Sequence, residues 1–187
     1  MGIHAVKRAV FLDRDGTLTR AIVRDGRPYP PSAEAGLEVL PGVAVGLARF
    51  RAAGFLLIVV TNQPDVARGS LPVAELEGMN RALMARLPLD DLRVCTHDDG
   101  DRCACRKPAP GLLLAAAADH GIDLGASVMI GDRWRDVEAG RRAGCATVFI
   151  DCQYQEELRS VPDAVVTSFA DATDWVMARA SARQRVL

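Results

Sequence analysis

The chain has no surplus of charge of either sign: 23 Lys and Arg stand against 24 Asp and Glu, a formal net charge of -1 over 187 residues. Non-specific binding to nucleic acid or to an anionic membrane rests on a cationic excess, so neither partner is expected, and the scattered charges read as a solvated surface. Long apolar runs are missing as well. Nothing approaches the ~18 residues of a membrane span, and MGIHAVKRAVFLDRDG has too short an apolar run for a signal peptide. Internal repeats and low-complexity linkers are also lacking. These absences predict a cytoplasmic monomer with reduced thiols, folded as a single domain over residues 1–187.

A redox pair at C-x-x-C spacing is absent too, although the chain has five cysteines. Three of them, with one histidine, fall within eleven residues of the stretch CTHDDGDRCACRKP, as Cys95, His97, Cys103 and Cys105. The pattern C-x-H, five residues, C-x-C supplies two ligand pairs, and residues i and i+2 of an extended segment point to one side. Four such ligands suit a closed tetrahedral zinc site, the alternative being free thiols that merely cluster. Cys145 and Cys152 have no partners at ligand spacing and read as a buried small hydrophobe and an incidental thiol.

Apolar runs and amphipathic stretches alternate along the rest of the chain. Strands are expected at 8–13, 55–62, 92–97, 127–132, 146–151 and 164–168, and helices at 41–54, 72–87, 110–121, 133–143 and 171–180. The alternation predicts an α/β fold, a Rossmann-like and mainly parallel sheet with helices on both faces, carrying the zinc loop 95–105 as an insert. Residues 19–36, rich in Pro, Gly and Arg, form the longest irregular stretch, long for a structureless loop and so a candidate active-site flap, though too short for a cap domain. Within it Tyr29, Arg20, Arg24 and Arg27 are candidate substrate contacts, or exposed loop residues with no role. Trp134 reads as a packing or surface residue rather than a stacking platform.

Ligands of open α/β sheets bind beyond the carboxyl ends of the strands. The residues found there are Asp13-Arg14-Asp15-Gly16-Thr17, Thr61-Asn62-Gln63 and Asp132, with Asp136 one helical turn later. Each has an ordinary reading as a cap or turn residue. Together, four acids directed at one crevice are electrostatically costly without a divalent cation.

These segments resemble the four ordered motifs of the haloacid dehalogenase-like phosphatases: DRDGT, TNQ, Lys107 in CRKP, and GDRWRD. With the zinc loop added, the chain is similar to the branch that holds the D-glycero-D-manno-heptose-1,7-bisphosphate 7-phosphatases and the histidinol-phosphate phosphatases. The resemblance implies Asp13 as nucleophile, forming an aspartyl-phosphate, and Asp15 as general acid and base. It implies Mg2+ on the Asp13 carboxylate, the Asp15 main-chain carbonyl and Asp132, with Asp136 in support. Thr61, the Asn62 backbone and Lys107 would hold phosphoryl oxygens, while Zn2+ would rigidify the loop that ends at Arg106 and Lys107.

The substrate expected from this likeness is a small phosphorylated molecule, a heptose 1,7-bisphosphate losing its 7-phosphate. QPDVARGSL resembles the matching stretch of the heptose enzymes, except that Pro64 and Asp65 replace small residues. Arg106, with Arg68 or Arg133, would take a second phosphate. The five-residue spacer between His97 and Cys103, and Arg133 itself, instead resemble histidinol-phosphate phosphatases, which is the alternative. A remote alternative is an inert zinc-loop binding module.

Overall fold

The structure, a computed structural model, describes residues 7–31 and 36–184. In chain order its elements are β1 (Arg8–Leu12), β2 (Ile22–Arg24), β3 (Arg27–Tyr29), α1 (Val43–Ala52), β4 (Phe55–Asn62), α2 (Val73–Arg86) and β5 (Asp91–Cys95). They continue as α3 (Gly111–His120), β6 (Val128–Gly131), α4 (Trp134–Ala143), β7 (Ala146–Ile150), β8 (Ala164–Val166) and α5 (Phe169–Gln184). Six strands form one sheet in the order β5-β4-β1-β6-β7-β8, every neighbouring pair parallel.

The central strands read as almost unbroken apolar runs because both of their faces are covered. In β1, Val10 and Leu12 pack with Leu47 and Phe50 of α1 and Val176 of α5. Ala9 and Phe11 face the other way, toward Leu113 of α3 and Ala139 of α4. Strand β4 repeats the alternation, with Leu57 and Val59 on the first side and Ile58 and Val60 on the second. Each such side chain contributes about 1.5–3 kcal/mol of burial. Gly46 lets α1 close on α5, since a Cβ there would lie 2.4 Å from the Thr173 hydroxyl.

The expected elements are present with shifted ends. The strand expected to reach residue 97 stops at Cys95, where its last pairing, with Asn62, is made. Helix α5 begins at Phe169 rather than 171, because Ser168 caps it by accepting from the Asp171 N–H at 3.1 Å. The flap is not structureless: Ile22 pairs with Tyr29 and Arg24 with Arg27 in an antiparallel hairpin. Asp25 and Gly26 turn it at φ 48° and 69°, as Asp-Gly hairpin turns require. Positions 32–35 of the expected flap lie outside the described residues.

Topologically, β1 is the switch point. The chain passes from it to β4 and β5 on one side, then returns to β6, β7 and β8 on the other. A crevice therefore opens above the carboxyl ends of β4, β1 and β6.

Candidate active site

Asp13 follows β1 directly and is fixed by its N–H to the Ile130 carbonyl of β6 at 3.0 Å. Asp132 follows β6, and Asp136 stands in the first turn of α4. Carboxylate oxygens of these three lie within 4.8 Å of one another. All are buried, at 7%, 1% and 1% exposure, so water does little to separate their charges. Burial, then the charges of Asp13 and Asp136, drive Asp132 well above the usual carboxylate range. Burial also pushes Asp136 up, to about 6, against the pull of Lys107.

Lys107 is the cation that meets this cluster. Its Nζ lies 2.5 Å from Asp13 and 2.6 Å from Asp136, and it donates to the Val60 carbonyl at 2.7 Å. Burial alone would lower its pKa, but the two carboxylates outweigh burial and hold the ammonium above the ordinary lysine range. Its backbone is clamped to β4 at two points: the Asn62 amide donates to the Lys107 carbonyl at 2.9 Å and accepts from the Lys107 N–H at 3.0 Å. Asp132 has no such cation. Its Oδ1 accepts from the Thr17 hydroxyl at 3.1 Å, and its buried Oδ2 has no hydrogen-bond partner. A hard-oxygen donor set with an orphaned buried oxygen fits a divalent cation such as Mg2+. Gly16, at φ 97°, is required beside it, because a Cβ would fall 2.0 Å from Asp132 Oδ2.

Asp15 is held on all sides. Its carboxylate accepts from Arg14 Nε at 3.0 Å, Gln63 Nε2 at 2.8 Å and the Thr19 hydroxyl at 3.2 Å. Arg14 is wholly buried and is itself anchored on Asn80 of α2 at 2.9 Å. Gln63, the residue after β4, also donates to the Thr61 hydroxyl at 2.9 Å, so the end of this strand positions Thr61 and the Asp15 support together.

Beyond β5 the zinc-type ligands converge. The Sγ of Cys95 is 3.7 Å from that of Cys103 and 3.0 Å from that of Cys105, and Cys103 and Cys105 are 3.5 Å apart. His97 Nδ1 lies 3.5 Å from Cys95 and 3.3 Å from Cys105. Four ligands around one zinc ion would show edges of about 3.8 Å between sulfurs and about 3.5 Å from sulfur to nitrogen. The donor set fits Zn2+, with the Cys95–Cys105 edge the tightest. Burial raises the Cys95 thiol, whereas at Cys103 burial is outweighed by the Arg106 N–H and the neighbouring thiols, which bring it to about 7. Cys145 and Cys152 lie apart from this cluster, pushed up by burial to about 12 and about 11.

A cleft of about 340 Å³ stands over Asp13, Asp15 and Asp136. Arg27, Arg68, Arg106, Lys107, Arg133 and Arg135 line it, with Thr61, Asn62, Tyr29, Pro64 and Asp65. Arg106 is tied to Asp99 at 2.8 Å and to the His97 carbonyl at 3.2 Å, so it belongs to the zinc loop and to the cleft at once. Arg133 forms a fork on Glu156 at 2.6 and 2.5 Å, and Arg68 one on Asp98 at 2.8 and 2.7 Å. Of the flap residues, Arg27 and Tyr29 reach the cleft, whereas Arg20 pairs with Glu38 at the surface. Trp134 is buried, its ring covered by Arg159 at 3.7 Å. The structure thus brings every residue expected at the catalytic and phosphate sites to one cleft or its floor.

Sequence reasoning overlooked several residues. Arg14, Thr17 and Gln63 lie inside the DRDGT and TNQ motifs, so their positions were visible but not their bonds to Asp15 and Asp132. Arg135, inside GDRWRD, was visible in the same way but not its bond to Asp99 at 3.1 Å, whereas Glu156 had no signal in spacing.

The family model described as HAD-hyrolase-like matches residues 104–172. A D-glycero-beta-D-manno-heptose-1,7-bisphosphate 7-phosphatase of Escherichia coli (strain K12) is 34% identical over 181 residues, covering 90% of this chain and 87% of its own. The D-glycero-D-manno-heptose-1,7-bisphosphate 7-phosphatase of Thermosynechococcus vestitus is 30% identical over 191 residues, covering 90% and 94%. A crystal structure of D,D-heptose 1,7-bisphosphate phosphatase from B. bronchiseptica, complexed with magnesium and phosphate, superposes with a TM-score of 0.78 at 27% identity, covering 92% of this chain and 99% of that one. The chain belongs to the D-glycero-D-manno-heptose-1,7-bisphosphate 7-phosphatase family of HAD-like hydrolases.

Proposed function

We propose that this chain, acting as a single domain and a monomer, is a Mg2+-dependent phosphatase that removes the 7-phosphate of D-glycero-D-manno-heptose 1,7-bisphosphate. The observation that carries the reading is the meeting of Asp13 with Asp132, Asp136 and Lys107 on the floor of an arginine-lined cleft. Asp13 attacks phosphorus and becomes an aspartyl-phosphate, which splits one hard hydrolysis into two easier displacements. Asp15, held by Arg14 and Gln63, protonates the departing alkoxide and then takes the proton of the attacking water. Lys107, Thr61 and the Asn62 main chain hold the phosphoryl oxygens, supplying the electrostatic stabilisation on which phosphoryl transfer depends.

Asp13, the Asp15 main-chain carbonyl and Asp132 would hold Mg2+, which offsets their charge so that an anionic nucleophile can meet an anionic phosphate. Cys95, His97, Cys103 and Cys105 would hold Zn2+ with no position left open, so that metal fixes the loop before Arg106 and Lys107. Arg106, with Arg133 and Arg68, receives the phosphate that is not cleaved. Cytoplasmic residence and the lack of a nucleic-acid or membrane partner accord with the balanced charge, and no described helix is long and apolar enough to cross a membrane.

Phosphate release from both heptose bisphosphate anomers, histidinol phosphate and simple sugar monophosphates, with and without added Mg2+, tests the reading. A heptose bisphosphate is expected to give the highest kcat/KM, and only with Mg2+. A preference for histidinol phosphate overturns the substrate, and full activity after exhaustive chelation overturns the mechanism.

A further inference from the structure

A second cavity, of about 270 Å³, is lined by a different member of the acid cluster from those that line the first. The substrate cleft is lined by Asp13 and Asp136; the second cavity is lined by Asp132, whose buried Oδ2 lacks a partner. Their linings also differ in charge. Six basic side chains face the cleft against five acids, whereas the second cavity has Asp132, Asp151 and Glu156 and, among the described residues, no cation. The Arg133–Glu156 pair links the two linings, its arginine on the cleft and its glutamate on the second cavity.

We infer that the second cavity is the passage by which a hydrated divalent cation reaches Asp132, separate from the cleft that admits the phosphate. The inference rests on the proposed role of Asp132 as a cation ligand. Opposite charges drawn to one reaction centre compete if they share a mouth; two mouths of different sign attract each without repelling the other. A filled cleft also leaves the second cavity clear of the substrate. The exposed Asp151 at the end of β7 marks its acidic side, and Val165 of β8, 58% exposed, stands on its wall.

Mn2+ alone is the probe, with the full chain freed of Mg2+. Equilibrium binding is followed by loss of the free-Mn2+ EPR signal, and association by stopped-flow tryptophan fluorescence, since Trp134 lines the second cavity. Asp151→Lys is expected to slow association about tenfold at low ionic strength, an effect that shrinks as salt is raised. Val165→Trp, which narrows the passage, is expected to slow association at every salt concentration. Arg27→Glu, which adds negative charge to the cleft, is expected to leave the association rate unchanged. Acceleration by Arg27→Glu, with the other two variants like wild type, overturns the passage while leaving the cation site in place. Absence of equilibrium Mn2+ binding by the wild-type chain overturns both together.

Discussion

The Cys95–His97–Cys103–Cys105 cluster and the Asp13–Asp132–Asp136 cluster are assembled by different means. The first comes from eleven consecutive residues that begin at the last residue of one strand, is partly exposed, and brings soft ligands to tetrahedral spacing. The second comes from two strand ends and a helix N-terminus, is buried, and sets two of its three carboxylates against one lysine. A thiol cluster can shed protons as its metal binds, so its cost falls on the loop itself. The carboxylates have no such local remedy: one ammonium pairs with Asp13 and Asp136, Asp132 has none, and the sheet and helices around them hold the excess charge in place. The stability of the loop is local, whereas the reactivity of the acids is sustained by the whole fold.

The sharpest test of that division is Asp13→Asn. It is expected to lower kcat by about four orders of magnitude or more while leaving the melting temperature near that of the wild type, because one of three crowded charges is removed with little change in volume. Residual turnover above that level would show that Asp13 is not the nucleophile. Asp15→Asn is expected to cost about 10²–10⁴-fold, most on alkyl phosphates and least on nitrophenyl phosphate, since a poor leaving group most needs a proton. Unchanged relative rates on the two substrates would remove its acid role.

Cys105→Ser should produce the converse pattern. Bound zinc, measured by metal analysis, should fall below one equivalent, and the melting temperature should drop by about 2–4 °C for each kcal/mol lost. Activity should fall less than in Asp13→Asn, through displacement of Lys107, two residues away. If Cys105→Ser abolishes turnover without lowering the melting temperature, the two clusters are not separable in this way. The smallest effect belongs to Arg106→Ala, at the joint between them. It is expected to lower kcat/KM about ten- to a hundredfold on the bisphosphate and much less on a monophosphate. Equal losses on both would make Arg106 a brace of the zinc loop alone, through Asp99 and the His97 carbonyl.

Much of this was legible before the fold. Unbroken apolar runs such as FLLIVVTN mark strands covered on both faces, and the order of DRDGT, TNQ and GDRWRD places their polar residues at strand ends. The zinc loop was legible because its ligands are neighbours in the chain. The flap was misread: its length and its Pro, Gly and Arg content suggested irregular backbone, while the Asp-Gly pair at 25–26 turns a hairpin that carries Arg27 and Tyr29 to the cleft.

The sequence by itself determined the strand and helix order, the acids at the strand ends and the soft-ligand loop, because each depends on residues within a few positions of one another. Tertiary structure alone decided that Lys107 spans Asp13 and Asp136, that Gln63 holds Asp15, and that the Arg133–Glu156 pair joins the linings of two cavities. Those contacts join residues up to 94 positions apart. Sheet order and burial bring such residues within ångströms of each other, and no local spacing encodes the distance between them.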